Sequence, residues 1–143
     1  MLGLQDSLLN QTVALPAAAS SSVVSPSIDL GIGPHGELPL GFVEFEIDAP
    51  AVTTAMLPNG DTITYDVIVS ATSNMASPVA VYPAILTQTG AGGVGAPAAA
   101  KKFKLPDVLN DYLASARYLA LRANTGVGTG NCSTVNATLA VNF

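Results

Sequence analysis

The stretch Thr62-Ile63-Thr64-Tyr65-Asp66-Val67-Ile68-Val69-Ser70 decides the fold. Ile63, Tyr65, Val67 and Val69 fall on one face of an extended chain, and Thr62, Thr64 and Asp66 fall largely on the other. Side chains alternate sides along a strand, so this is the pattern of a strand with one face in a core and the other toward water. Pro58-Asn59-Gly60-Asp61 stands just before it, a turn signal compatible with a hairpin.

The same period-2 reading extends outward in both directions. Phe42–Ile47 puts Val43, Phe45 and Ile47 on one side and Phe42, Glu44 and Glu46 on the other. Val79–Gln88 is a further strand candidate, and Pro83 places it at an edge or a bulge. Ser115–Ala123 alternates with Leu119, Leu121 and Ala123 inward. Cys132–Phe143 carries the longest alternation, with Val135, Ala137, Leu139, Val141 and Phe143 on one face. The expected core is Val43, Phe45, Ile47, Ile63, Tyr65, Val67, Val69, Leu119, Leu121, Val135, Leu139 and Val141. Gly31–Gly36 and Gly126–Gly130 read as turns, and residues 89–100 read as a flexible loop. Leu105–Leu113 is ambiguous, since Pro106 could open a short helix. Several short strands with Gly/Pro turns predict an all-β antiparallel sandwich over residues 26–143, with no helix longer than about three turns. Residues 1–25, rich in Ala and Ser and broken by Pro16 and Pro26, predict an extended amino-terminal arm.

Composition points to a subunit that covers part of its surface. The chain has 143 residues, 49% of them apolar and only 10% charged, where about a quarter charged is usual. Such a surface suits contact with neighbours and predicts a homo-oligomer. Residues 1–100 hold eight acids and no Lys or Arg; residues 101–143 hold all five basic residues and two acids. The net charge of −5 argues against nucleic-acid binding. Lys101-Lys102-Phe103-Lys104 reads as a solvated loop or strand start, with a contact to an acidic partner patch as the sharper alternative. No stretch has the apolar length of a membrane span. Val13–Ser22 resembles the end of a signal peptide, but no basic region precedes it. Three Asn-x-Ser/Thr matches, at Asn10, Asn131 and Asn136, read as chance.

No reactive residue type is placed for chemistry, and no catalytic, metal or cofactor site is expected. His35, the only histidine, lies in Gly-Pro-His-Gly and reads as an exposed turn residue. Cys132 is alone, which excludes an intrachain disulfide, and reads as a packing residue. Glu44 and Glu46 share a strand face roughly 6.5–7 Å apart, which the solvent side of an amphipathic strand explains without catalysis. Asp48, Asp61 and Asp66 lack the spacing of a calcium loop. The glycines of residues 89–100 match neither phosphate-binding pattern, so no small-molecule ligand is expected.

Two segments carry a resemblance. The first runs Asp6–Gln11, Ala17–Ser20 and Ser27-Ile28-Asp29-Leu30-Gly31. The second runs Ala116–Arg122, Thr125-Gly126 and Thr134–Val141. Together they resemble the capsid cement (decoration) proteins of tailed bacteriophages, the Bordetella phage jelly-roll cement protein family. That resemblance implies a jelly-roll sandwich on the outer capsid surface of the virion that clamps neighbouring major capsid subunits. It also implies a symmetric oligomer, with a homotrimer favoured and a homodimer possible. Residues Gly90–Ala100 and Leu105–Leu113 depart from the family pattern as an enlarged connection. The alternative is a carbohydrate- or receptor-binding sandwich domain of a tail fibre or adhesin, although the chain has no Trp and its tyrosines are scattered. The arm is expected to make the decisive contact with a neighbour or with the capsid through Leu2, Leu4, Leu8, Leu9, Val13 and Leu15, which lack a pattern that would bury them in their own sandwich.

Overall fold

A computed structural model describes residues 9–30, 43–105 and 117–142. The described residues form nine strands: β1 (Gln11–Ala14), β2 (Ser22–Val24), β3 (Ile28–Asp29), β4 (Glu44–Ala49), β5 (Thr62–Ser70), β6 (Val79–Thr89), β7 (Ala99–Phe103), β8 (Tyr118–Thr125) and β9 (Asn136–Asn142). The described residues contain no α-helix. Two antiparallel sheets pack against each other, ordered β1-β9-β4-β7 and β2-β8-β5-β6. β3 continues the β2 edge along β8. The fold is thus the all-β sandwich that the alternation predicts.

The pairing is nested. β5 pairs β6 in a hairpin, β4 pairs β7, β2 and β3 pair β8, and β1 pairs β9. These pairs form one long antiparallel ribbon. The ribbon then folds over so that β4 meets β9 and β5 meets β8.

The core lies between the sheets and holds the residues that period 2 selects. Phe45, Ile47, Ile63, Tyr65, Val67, Val69, Leu119, Leu121 and Leu139 have no exposed surface, and Val43 and Val141 almost none. Fully burying each large aliphatic or aromatic side chain contributes about 1.5–3 kcal/mol. Val135 is the exception in the expected list. It is half-buried, because β9 begins one residue later. Two large polar side chains at the core are paired: Tyr65 Oη donates to Gln88 Oε1 at 2.8 Å, and Gln88 Nε2 donates to Pro50 O and Pro97 O, each at 2.8 Å.

Four expectations need correction. Residues 9–25 are not a detached arm, since β1 and β2 are edge strands of the two sheets and Leu15 lies in the core. A four-residue strand is too short to show its alternation, and its partner β9 is more than 120 residues away. Pro58–Asp61 is a turn, with Asp61 N–H donating to Pro58 O at 3.1 Å, but β4 and β5 belong to different sheets, so it closes no hairpin. Residues 89–100 are not a free loop: Val52 and Ala96 form a bridge, Gly90 is bonded to Gly60 and Asp61, and Ala99 opens β7. The outer face of β5 is not simply solvated. Ile68 is buried there with Ala120 beneath Met75, and Asp66 and Ser70 are buried as well. The turn at Gly31–Gly36 with His35, and the ambiguous segment after Leu105, lie outside the described residues.

Pro83 sits where an edge position is expected. β6 is the last strand of its sheet, and its register against β5 shifts between Tyr65 and Ile68. Ala84 there has φ +48°. A second proline shapes the opposite edge. Pro26 separates β2 from β3, and Ser25 holds the ladder at the break: its N–H donates to Leu121 O at 2.9 Å, and its Oγ accepts from Leu121 N–H at 3.0 Å.

Candidate interaction surface

The residues predicted to contact a partner do not form one exposed patch. Leu2, Leu4 and Leu8 lie outside the described residues. Leu15 is 1% exposed, and Leu9 and Val13 are half-buried against the same core. β1 turns Val13 inward beside Ala137 of β9, so burial that a partner was expected to provide comes from the chain itself.

The sheet faces carry the charge, much of it paired. On β5, Asp66 accepts from Arg122 Nε at 2.9 Å and Nη2 at 2.7 Å, from Asn124 Nδ2 at 2.9 Å and from Ala84 N–H at 2.8 Å. Burial pushes the Asp66 carboxyl upward, but these hydrogen bonds outweigh it and hold its pKa below the ordinary carboxylate value. Arg117 makes a two-pronged contact with Asp29 at 2.8 and 2.9 Å, and lies 5.3 Å from the Tyr118 ring centroid. On the other sheet Glu44 pairs with Lys102 at 3.1 Å, which raises the lysine pKa. Asp48, on the same face, is pushed up by burial and by the neighbouring Glu46. Glu44 and Glu46 are therefore the polar side of an amphipathic strand. Among the described residues no group of three or more His, Cys, Asp or Glu is placed to hold a metal ion. Cys132 is buried in the core, and burial pushes its thiol pKa up.

The sandwich edge between β6 and β7 is closed by aromatic rings. Phe45 and Phe103 stack at 5.4 Å, and Tyr82 meets Phe103 edge-on at 5.7 Å. Tyr82 Oη donates to Lys104 O at 2.7 Å, which ties the two sheets together.

One end of the sandwich differs from the faces. The connections β1–β2, β4–β5, β6–β7 and β8–β9 gather there and are bonded to one another. Ser20 N–H donates to Gly126 O, Gly126 N–H to Thr62 O, Gly60 N–H to Gly90 O and Gly130 N–H to Met56 O, each at 2.9–3.0 Å. The turn at Pro58–Asp61 is the hub: Asn59 Oδ1 accepts from Gly93 N–H at 2.9 Å and Asp61 Oδ1 from Gly128 N–H at 3.1 Å. The backbones approach so closely that a Cβ on Gly90 or Gly130 would lie 2.1 Å from a carbonyl oxygen. From this hub Val94 and Val127 project into water, 76% and 85% exposed. Sequence reading missed both. The available signal was a valine between glycines in each of two connections that contain no charged residue.

No family model matches this chain, and neither does any curated protein.

Proposed function

We propose that this protein is a viral capsid cement protein, which binds the outer surface of the capsid shell and stabilises contacts between major capsid subunits. Its role is structural rather than catalytic, and it works as a homo-oligomer, with a trimer favoured. The observation that carries this reading is the winding of the sandwich. Four nested strand pairs, rolled into two four-stranded sheets when β2 and β3 are counted as one interrupted strand, support a jelly-roll reading. A jelly roll is what the cement-protein resemblance implies, and the sequence motifs behind that resemblance do not themselves contain the strand order. The charge-poor surface supports the same reading, because a cement needs complementary area and no chemistry.

The test is co-sedimentation of the purified protein with expanded capsids of a tailed phage that encodes it, alongside a glycan array. Saturable binding to capsids, with a raised capsid melting temperature and a blank array, is the expected result. Glycan binding without capsid binding would transfer the protein to the receptor-binding class.

A further inference from the structure

We infer that Asn59 is a modification site of this chain, held unreactive by the fold and deamidated when the loop end opens. Of the chain's asparagines, Asn59 alone precedes a glycine. Deamidation begins with attack by the backbone nitrogen of the following residue, and glycine has no side chain to hinder it. Asn59 and Gly60 are both exposed, so water reaches them. In an open chain the Gly60 nitrogen gives its proton to hydroxide and bonds to Asn59 Cγ. The Cγ–Nδ2 bond breaks, and the nitrogen takes a proton from water and leaves as ammonia. Water then opens the succinimide at either carbonyl, which leaves an aspartyl or an isoaspartyl residue at position 59.

The hub blocks the first step. Gly60 N–H donates to Gly90 O at 2.9 Å, so the attacking nitrogen is engaged in the plane of its own peptide and its proton is withheld from hydroxide. Gly90 N–H returns a bond to Asp61 O at 3.0 Å, which pins the turn from both sides. Asp61 N–H bonded to Pro58 O, with φ +86° at Gly60, is the signature of a type II turn. In that turn the residue before the glycine has ψ of about +120°. A succinimide ring is nearly planar, so it closes only where the Gly60 nitrogen eclipses Asn59 Cβ. Reaching that arrangement from a type II turn takes a rotation of roughly 120° about the Asn59 ψ, which breaks the bonds to Gly90. The side chain itself is not protected. Asn59 Oδ1 accepts from Gly93 N–H at 2.9 Å, and a donor there stabilises the oxyanion that forms on attack. The backbone alone keeps the nucleophile away.

The isoaspartyl product does not fit back into the hub. It carries the chain through the former side-chain carbonyl and adds one carbon to the backbone just before Gly60. Gly60 N–H is then displaced from Gly90 O. Gly90 lies so close under Pro58 that a Cβ on it would stand 2.1 Å from the Pro58 oxygen, so there is no slack to follow the longer turn. Opening of this end is thereby recorded in a covalent change that hinders reclosure.

The test uses the full chain at mildly alkaline pH. It is incubated native, over a series of sub-denaturing guanidinium chloride concentrations, and fully unfolded. Peptide mass spectrometry reads the mass gain at residue 59, and enzymatic methylation of isoaspartyl groups reads the rearranged product. Asn59→Gln, which would have to close a larger ring, is the control for the assignment. The native chain is expected to react at least about tenfold more slowly than the unfolded chain, with the rate rising as denaturant opens the end. In the unfolded chain residue 59 is expected to react ahead of the other asparagines. The isolated isoaspartyl chain is expected to melt at a lower temperature than the unmodified one. A native chain that deamidates as fast as the unfolded one would overturn the inference, as would an unfolded chain in which residue 59 has no lead. An isoaspartyl chain with an unchanged melting temperature would overturn the exclusion of the product from the hub.

Discussion

Replacing Asp66 by asparagine is expected to cost about 2–3 kcal/mol at neutral pH, since hydrogen bonds to a charged group are worth more than neutral ones and the carboxylate side chain is nearly buried. The pH dependence has a defined sign. The folded pKa of Asp66 lies below its ordinary value of 3.8, so the stabilisation is fully present above that value. It is lost as pH falls through the lower folded value. Urea midpoints of the native chain and of Asp66→Asn should therefore begin to converge only below pH 3.8 and meet below the lower folded value, and a gap that stayed constant would show that the carboxylate charge contributes nothing. The glycines allow a second comparison. Gly60 has φ +86° and open space around it, so Gly60→Ala is expected to cost about 1–2 kcal/mol of backbone strain. At Gly90 a Cβ would meet Pro58 O at 2.1 Å and Leu57 O at 2.5 Å, and backbone cannot swing aside. Gly90→Ala should lower the denaturation midpoint well beyond Gly60→Ala. In the sequence these two glycines look alike; the difference lies in a neighbour some thirty residues away.

Elements differ in how much of themselves the sequence discloses. β5 is legible from end to end, since nine residues show several full periods and its inner face is uniformly apolar. β9 begins at Asn136, a few residues after the expected start, because Cys132–Val135 carries apolar residues without being in the ladder. β1 and β2 are not legible, because a Gln-Thr-Val-Ala or Ser-Val-Val segment becomes a strand only through the neighbour it lies against. The β2–β3 edge adds a detail invisible in sequence, the serine hydroxyl that occupies the gap beside Pro26. Ser25→Ala leaves Leu121 N–H buried without its acceptor and should cost about 1–3 kcal/mol. Hydrogen exchange at the Leu121 amide should accelerate in that variant more than at other β8 amides. Equal protection in both proteins would mean that the break is held by something other than the hydroxyl.

At the scale of the molecule, the sandwich was readable and its winding was not. Alternation tells which side of a strand is inside; it carries no information on which strand lies alongside. The candidate surface shows the same limit. The leucines of the amino-terminal stretch stand out in the sequence as apolar residues without a pattern, whereas the loop end is marked only by missing charge spread over four separate connections. The revised boundary makes a prediction. Deleting residues 1–20 removes β1, uncovers one side of β9 and takes Leu15 out of the core. The truncated chain should lose a large part of its stability, several kcal/mol from Leu15 and the lost ladder together, seen as a sharply lowered thermal midpoint. An unchanged midpoint would return this segment to the status of an appendage.

The nested pairing of the ribbon also bears on how the chain is made. Strands in such an arrangement open in one order and close in the reverse, as brackets do: β5 finds β6 within a few residues, while β1 has to wait for β9. A ribosome delivers the brackets from left to right. The central hairpin can form on the emerging chain, but β1, β2 and β4 leave the exit tunnel with their inner faces uncovered and stay so until the closing strands are synthesised. During that interval the nascent chain exposes the side chains that later form the core. Cells producing it are therefore expected to shield this protein on the ribosome, and slowing translation after β7 should increase aggregation.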